Sequence, residues 1–236
     1  MAGQGREGYA FPEFLADTEW LAEHLHDSNI RIVDTDVLAA YQRGHIPGSV
    51  LVPDNFEKDP DTNRVHILPP KKFAEMMESL GVGDNTLVVT YDNSRSLYAG
   101  RLWWALQYYG HKNVKVLNGG WRKWLSEGRP MSIERPESRS GVRFTARPDA
   151  SLMATTEGLK AAYNKPGVAV WDVRNRGEYI GEETRGNKRP GHIPGAIHLE
   201  WLEMMDDKTH TFKPAGEMRR ILQSKGITPD KEVVAH

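Results

Sequence analysis

Gly191-His192-Ile193-Pro194-Gly195-Ala196-Ile197 repeats, at an offset of 147, an earlier run, Gly44-His45-Ile46-Pro47-Gly48-Ser49-Val50. Upstream, Ile32-Val33-Asp34 matches Val170-Trp171-Asp172 at an offset of 138, and Tyr41 and Tyr179 keep that offset. The difference between the two offsets is a nine-residue insertion in the second copy, within the polar stretch 181–190. Downstream, 81–91 matches 226–236 at a constant offset of 145. Three matching blocks in one order are the mark of a duplicated unit.

Each copy alternates strand-like and helix-like segments. In the first, 20–25 reads as a helix and 30–34 as a buried strand, since its apolar run ends in acid. Tyr41 falls on a turn or short helix, and 49–52 is a strand. Residues 70–80 place Phe73, Met76, Met77 and Leu80 on one helical face, and Gly81 ends that helix. Strand 86–91, apolar helix 99–109, strand 114–117 and helix 121–126 follow. The second copy reads as helix 155–163, strands 168–172 and 196–199, helix 214–225 and strand 232–235. This alternation argues for an α/β fold with mostly parallel sheets flanked by helices. Two domains are expected, 11–128 and 151–236. The stretch 129–150, with Pro130, Pro136 and Pro148, is expected as an extended linker crossing the surface of both. Past the point equivalent to His236 the first copy runs on from Asp92 to Gly128, 37 residues, so the second copy is read as incomplete.

Composition narrows the function classes. The chain has 236 residues, 39% hydrophobic and 27% charged, the mix of a globular protein. Lys plus Arg number 31 against 32 Asp plus Glu, so no basic excess exists to neutralise a phosphate backbone and no nucleic-acid partner is expected. No apolar run approaches the roughly 20 residues needed to span a bilayer, so no membrane partner is expected. The polar, Gly-rich start at 1–9 lacks the apolar core of a signal peptide, and a cytoplasmic location follows as an expectation. Cysteine is absent, which removes disulfides and thiolate metal sites from this sequence. The histidines show no metal-ligand spacing, and Gly81-Val82-Gly83 lacks the third glycine of a dinucleotide fingerprint; neither metal nor cofactor is expected.

Ligands of parallel α/β sheets bind at the carboxyl ends of the strands. In the second copy Asp172 ends one strand, Arg174 follows two residues later, and His236 ends another. By analogy with the first copy, a loop entering a helix comes next. Such a loop aims backbone N–H groups at one spot, which lowers a thiol pKa and holds an anion.

The combination resembles the tandem-domain rhodanese family of sulfurtransferases. It rests on Asp172-Val173-Arg174, Glu178-Tyr179, Gly191 to Ala196 and Val233-Val234-Ala235-His236 in the second copy. In the first it rests on Asp92-Asn93-Ser94, the Arg101-Leu102-Trp103-Trp104 helix and Leu117-Asn118-Gly119-Gly120-Trp121. The resemblance implies two rhodanese-like domains, the first silent because Asp92 stands where a loop cysteine would. It implies a catalytic cysteine directly after His236, where the chain ends. The implied reaction moves the outer sulfur of thiosulfate, through a cysteine persulfide, to cyanide or a thiol, with small-molecule partners and a monomeric enzyme. Members that use 3-mercaptopyruvate carry arginine at the position of Glu178, so glutamate favours thiosulfate. A non-catalytic rhodanese-like binding protein is the alternative if no cysteine follows, and cysteine-loop phosphatase chemistry is a third reading.

Individual residues carry two readings each. His45 and His192 are expected as scaffold, since both copies keep them. Asp172 is expected to orient the active-site loop. Arg174 either pairs with a neighbouring carboxylate or faces the substrate. Arg185, Lys188 and Arg189 form a solvated face or supply a lining cation. Glu178 and the arginines Arg174, Arg185 and Arg189 are the candidate substrate-binding set. Trp103, Trp104, Trp121 and Trp124 are expected as packing. Asp92 is expected to cap the helix that follows it.

Overall fold

The computed structural model describes residues 8–54, 56–58 and 67–236. Of the polar N-terminal run, residues 1–7 lie outside the described residues. The chain forms two compact units, Met1–Leu152 with Asp207–Thr211, and Met153–Asp206 with Phe212–His236.

The first unit is a five-stranded sheet. Its strands are β1 (Leu15–Ala16), β2 (Ile30–Asp34), β3 (Val50–Leu51), β4 (Leu87–Tyr91) and β5 (Val114–Leu117). Their order is β1-β5-β4-β2-β3 and every pairing is parallel. Parallel strands need covered faces, and all five residues of β2 are buried. The crossovers are the helices α1 (Thr18–Glu23), α2 (Leu38–Arg43), α3 (Pro70–Ser79) and α4 (Leu97–Tyr108), and α5 (Gly120–Ser126) follows the last strand. Ile30, Ile32, Val89, Tyr91, Leu117 and Trp124 form one buried cluster between sheet and helices.

Helix α3 illustrates the local logic. Pro70 starts it, where the missing N–H costs nothing. Phe73, Met76 and Met77 are its buried face. Gly81 ends it at φ +75°, with its N–H on Glu78 O and the Val82 N–H on Met77 O, both 2.9 Å. The short edge strand β1 was not anticipated, because two residues carry no periodicity. Strands β3 and its second-unit counterpart are two residues each, shorter than expected. In both copies the Gly-His-Ile-Pro-Gly turn runs to the strand start, as the 2.9–3.0 Å bonds from Ser49 N to Ile46 O and from Ala196 N to Ile193 O show.

The stretch 129–150 lies along the first unit. Ser132 pairs with His45, the Arg147 N–H bonds Tyr109 O, and Phe144 is buried. These partners all belong to the first unit.

The second unit contains α6 (Thr156–Ala162), β6 (Val168–Asp172), α7 (Arg176–Ile180), β7 (Ile197–His198), α8 (Ala215–Ser224) and β8 (Glu232–Ala235). Its three strands lie β7-β6-β8, all parallel. Leu199, Met204 and Ile227 form its core, with Trp171, Met218 and Leu222 packed on them. Strand β8 matches β4 in sequence, yet it is an edge strand with Val233 41% exposed, whereas β4 is interior. Helix α7 is short and is held by its cap: Asn175 Oδ1 accepts the Glu178 N–H at 2.8 Å. Among the described residues no helix is long and apolar enough to cross a membrane.

Candidate active site

The two copies share a tyrosine–histidine clamp that fixes the turn leading into the short strand. In the first, the Tyr41 hydroxyl donates to Ser49 O at 2.6 Å, and His45 stacks on its ring with centroids 3.8 Å apart. In the second, the Tyr179 hydroxyl donates to Ala196 O at 3.1 Å, and His192 stacks at 3.8 Å. His45 Nδ1 lies 2.9 Å from Tyr41 O and His192 Nδ1 lies 2.8 Å from Tyr179 O. Each imidazole ties the turn to the preceding helix, a scaffold contact made identically in both units.

At the strand ends of the second unit, Asp172 is fully buried. Its Oδ1 accepts from Arg174 N and Nε at 3.1 and 2.9 Å, and its Oδ2 accepts from Arg174 Nη2 at 2.5 Å. The same Nη2 also donates to Gly191 O at 3.0 Å, which links the end of β6 to the Gly-His-Ile-Pro-Gly turn. Burial raises the Asp172 pKa, but the Arg174 hydrogen bonds and charge hold it below the ordinary value, and Arg174 is raised in return. A buried, bidentate carboxylate–guanidinium pair is a rigid strut.

His236 ends β8. Its N–H donates to Trp171 O at 3.0 Å and its carbonyl accepts the Val173 N–H at 3.1 Å. Its Nε2 is 3.5 Å from Asp172 Oδ2 without a hydrogen bond. Burial lowers the His236 pKa, opposed by Asp172 and assisted by Arg174 and His192, so the ring is neutral at neutral pH.

These residues open on a cleft of about 620 Å³ whose lining includes Arg174, Arg189, His192 and His236. Thus Arg174, Arg189 and His236 come together, and Asp172 stands behind them. Glu178 and Arg185 do not line that cleft. Glu178 is 8% exposed and pairs with Arg185 Nε at 3.1 Å. Glu178 thus faces Arg185 and not the cleft. Lys160 of α6 and Tyr163 at its C-terminal end also line the cleft and were not singled out in the sequence. Their helix precedes the motif blocks, and only folding brings it to the strand ends.

In the first unit Asp92 directly follows β4. Its Oδ1 accepts the N–H groups of Ser94 and Ser96, both at 2.8 Å, and its Oδ2 those of Tyr98 and Ala99, both at 2.9 Å. One anion thus sits in a cradle of four amides at the start of α4. Burial raises the Asp92 pKa against the pull of those donors. The loop is pressed from behind by Gly120, where a Cβ would collide with the Asp92 carbonyl, and Trp121 N donates to that oxygen at 2.9 Å. Asp36 stands where the second unit has Arg174, and Asp34 where it has Asp172. Burial, with the Asp92 charge, pushes Asp34 to about 6; burial, with the Asp34 and Asp92 charges, pushes Asp36 to about 7. One first-unit cavity at these strand ends, about 440 Å³, is lined by Asp36, Asp54 and Glu57, and a second by Asp34, Asp36 and Arg43. Among the described residues no cluster of His, Asp or Glu could hold a metal ion.

Comparison with known proteins agrees with this geometry. Residues 17–127 and 155–236 match the rhodanese-like domain family. A sulfur carrier protein, TtuD, of Thermus thermophilus is 36% identical over 97% of this chain and 84% of its own. A thiosulfate sulfurtransferase of Pseudomonas aeruginosa is 34% identical over 92% of this chain and 79% of its own. The crystal structure of SseA from Escherichia coli, described as a 3-mercaptopyruvate sulfotransferase, superposes with a TM-score of 0.84 at 25% identity, covering 94% of this chain and 87% of that one. Two copies of one motif set, one amide-cradled anion and a cation-lined cleft at the strand ends thus occur in a chain that belongs to the rhodanese-like domain family.

Proposed function

We propose that this protein is a sulfurtransferase that takes the outer sulfur of thiosulfate onto a cysteine directly after His236 and passes it to cyanide or a thiol. The observation that carries the reading is the Asp92 cradle. It follows the strand that matches β8 in sequence, and four of its amides converge on a single carboxylate one residue past the strand end. A thiolate or persulfide in the second cradle would be stabilised in the same way.

The thiolate attacks the outer sulfur of thiosulfate. The sulfur–sulfur bond breaks, and sulfite leaves with the electron pair. The cysteine then carries a persulfide. An acceptor nucleophile attacks the outer persulfide sulfur and restores the thiolate, so cyanide yields thiocyanate and a thiol yields its own persulfide. Asp172 fixes Arg174, and Arg174 fixes the turn at Gly191. That strut keeps the cleft wall in register with the nucleophile. The first domain is a catalytically silent partner, because its cradle is filled by the Asp92 carboxylate.

Thiosulfate is the preferred donor because relatives carry that name at 34% identity, and because the cleft lining is cationic. 3-Mercaptopyruvate is the second reading, favoured by the Glu178–Arg185 ion pair and by the likeness to SseA. The deciding experiment measures kcat/KM for both donors on protein carrying the cysteine, with thiocyanate or pyruvate as readout. Thiosulfate is expected to win, and Cys→Ser at the position after His236 is expected to abolish turnover. Thiocyanate formed by a chain that stops at His236, which holds no thiol, would refute the mechanism.

A further inference from the structure

We infer that two residues silence the first unit and not Asp92 alone: Asp36, set against the Asp92 loop, is the second, and with it in place a thiol at position 92 would stay protonated and take up no sulfur. The inference rests on the sulfurtransferase reading and adds the residue that decides which repeat can hold a thiolate.

The two copies build one turn and fill it with opposite charge. Asp34 Oδ1 accepts the Asp36 N–H at 2.8 Å, as Asp172 Oδ1 accepts the Arg174 N–H at 3.1 Å. From there the side chains diverge. Arg174 turns back on Asp172 through Nε and Nη2, at 2.9 and 2.5 Å. Asp36 has no such course open, because two carboxylates repel. Its Oδ2 instead accepts the N–H of Asn93, the neighbour of Asp92, at 2.9 Å. A carboxylate therefore lies against the loop of the first unit, at the position that holds a guanidinium in the second repeat.

Two effects compete at position 92. The four amides of the cradle favour an anion. Asp34 and Asp36 oppose one. The Asp92 charge raises both of their pKa values, and by reciprocity each of them, once ionised, raises the pKa of an acid standing at position 92.

The cations nearby are engaged elsewhere. Arg95 of the loop pairs with Asp207 at 3.4 Å, and Arg122 of α5 donates to Lys208 O at 3.0 Å. Burial, then Arg122 and Arg95, lower the His210 pKa, so that ring is neutral at neutral pH. Tyr91, raised by burial and by Asp34, is neutral as well. Among the described residues no ion pair joins Arg43 to Asp34 or Asp36, although the three line one cavity. Asp54 and Glu57, which line the other cavity with Asp36, add only negative charge.

The chain has no cysteine, so Asp92→Cys introduces a single thiol, and its ionisation is read as ultraviolet thiolate absorbance against the parent chain. Asp92→Cys combined with Asp36→Asn is expected to titrate about one pH unit below Asp92→Cys alone, and Asp92→Cys combined with Asp36→Arg lower again. Equal titration with and without Asp36 would overturn the inference. At neutral pH with thiosulfate, a thiolate attacks the outer sulfur, the sulfur–sulfur bond breaks and sulfite leaves with the electron pair. Only the chains lacking Asp36 are expected to gain this sulfur by mass and to lose it to cyanide; equal loading of Asp92→Cys alone would count against the proposal. A second measurement covers the case in which Asp92→Cys does not fold. The Asp36 carboxyl, at about 7 in the parent, is followed by carbon NMR in Asp92→Asn. Reciprocal coupling requires it to titrate lower there, and an unmoved Asp36 would overturn the inference. Failure of the sulfurtransferase reading shows separately, as no persulfide on protein that carries a cysteine after His236 while the Asp36 effect persists.

Discussion

Replacing Asp92 by alanine tests whether the amide cradle organises the first unit. The carboxylate is buried and accepts four backbone N–H bonds, from Ser94, Ser96, Tyr98 and Ala99. An amide left without an acceptor in a buried site costs about 1 kcal/mol or more, so four give about 4 kcal/mol. Relief of the buried charge, which raises the Asp92 pKa, returns part of this, and water entering the vacated space returns more. The expected net loss is about 3 kcal/mol, or about 6–12 °C in Tm for a chain of this size. Urea titration followed by tryptophan fluorescence is a suitable assay, because Trp20, Trp103, Trp104, Trp121 and Trp124 all lie in the first unit. Asp92→Asn should cost less, since its remaining oxygen still serves two amides. A loss under about 1 kcal/mol in Asp92→Ala, with an unchanged denaturant slope, would refute the argument that the loop is built around an anion.

Other expectations follow from the same geometry. Arg174→Gln strips the buried Asp172 of its bidentate partner and should destabilise the second unit by about 2–3 kcal/mol, measured by near-ultraviolet dichroism. Because Asp172 is held below its ordinary 3.8, its contribution is present above that pH and fades as pH falls through the lower folded value; Arg174→Gln should flatten this acid limb, and an unchanged limb would count against the strut. Asp36 has the opposite sign: its folded pKa of about 7 exceeds 3.8, so it binds protons more tightly when folded and the first unit loses stability as pH rises from about 4 to 7. Asp36→Asn should raise stability at pH 8 by about 1 kcal/mol, after discounting for solvent screening at a half-buried group, and a chemical denaturation series across pH checks it. Gly120→Ala, at φ +49° and against the Asp92 carbonyl, should cost about 2–4 kcal/mol in thermal melts, and a neutral result would mean that the loop yields freely.

The duplication was legible because motif blocks keep their spacing when the backbone turn they encode is kept. Gly-His-Ile-Pro-Gly recurs with its tyrosine partner, and the structure shows why: the ring stack and the hydroxyl bond form one clamp in each unit. Strands such as β2 were visible as buried apolar runs, whereas β1 was too short to leave a pattern. Within the site, Asp172, Arg174 and His236 were visible from their places at strand ends. Lys160 and Tyr163 were not, since nothing local marks which face of α6 meets the cleft. Glu178 and Arg185, grouped in sequence with the substrate-binding set, pair with each other away from the cleft lining.

The sequence by itself determined the repeated α/β units, the strand-end positions and the absence of a thiol up to His236, because these depend on residue order and short-range periodicity. Only the tertiary structure decided which charges neutralise one another and which face the cleft. Ion pairing depends on distances across segments far apart in the chain, and the parallel crossovers that set those distances form only when the sheet does.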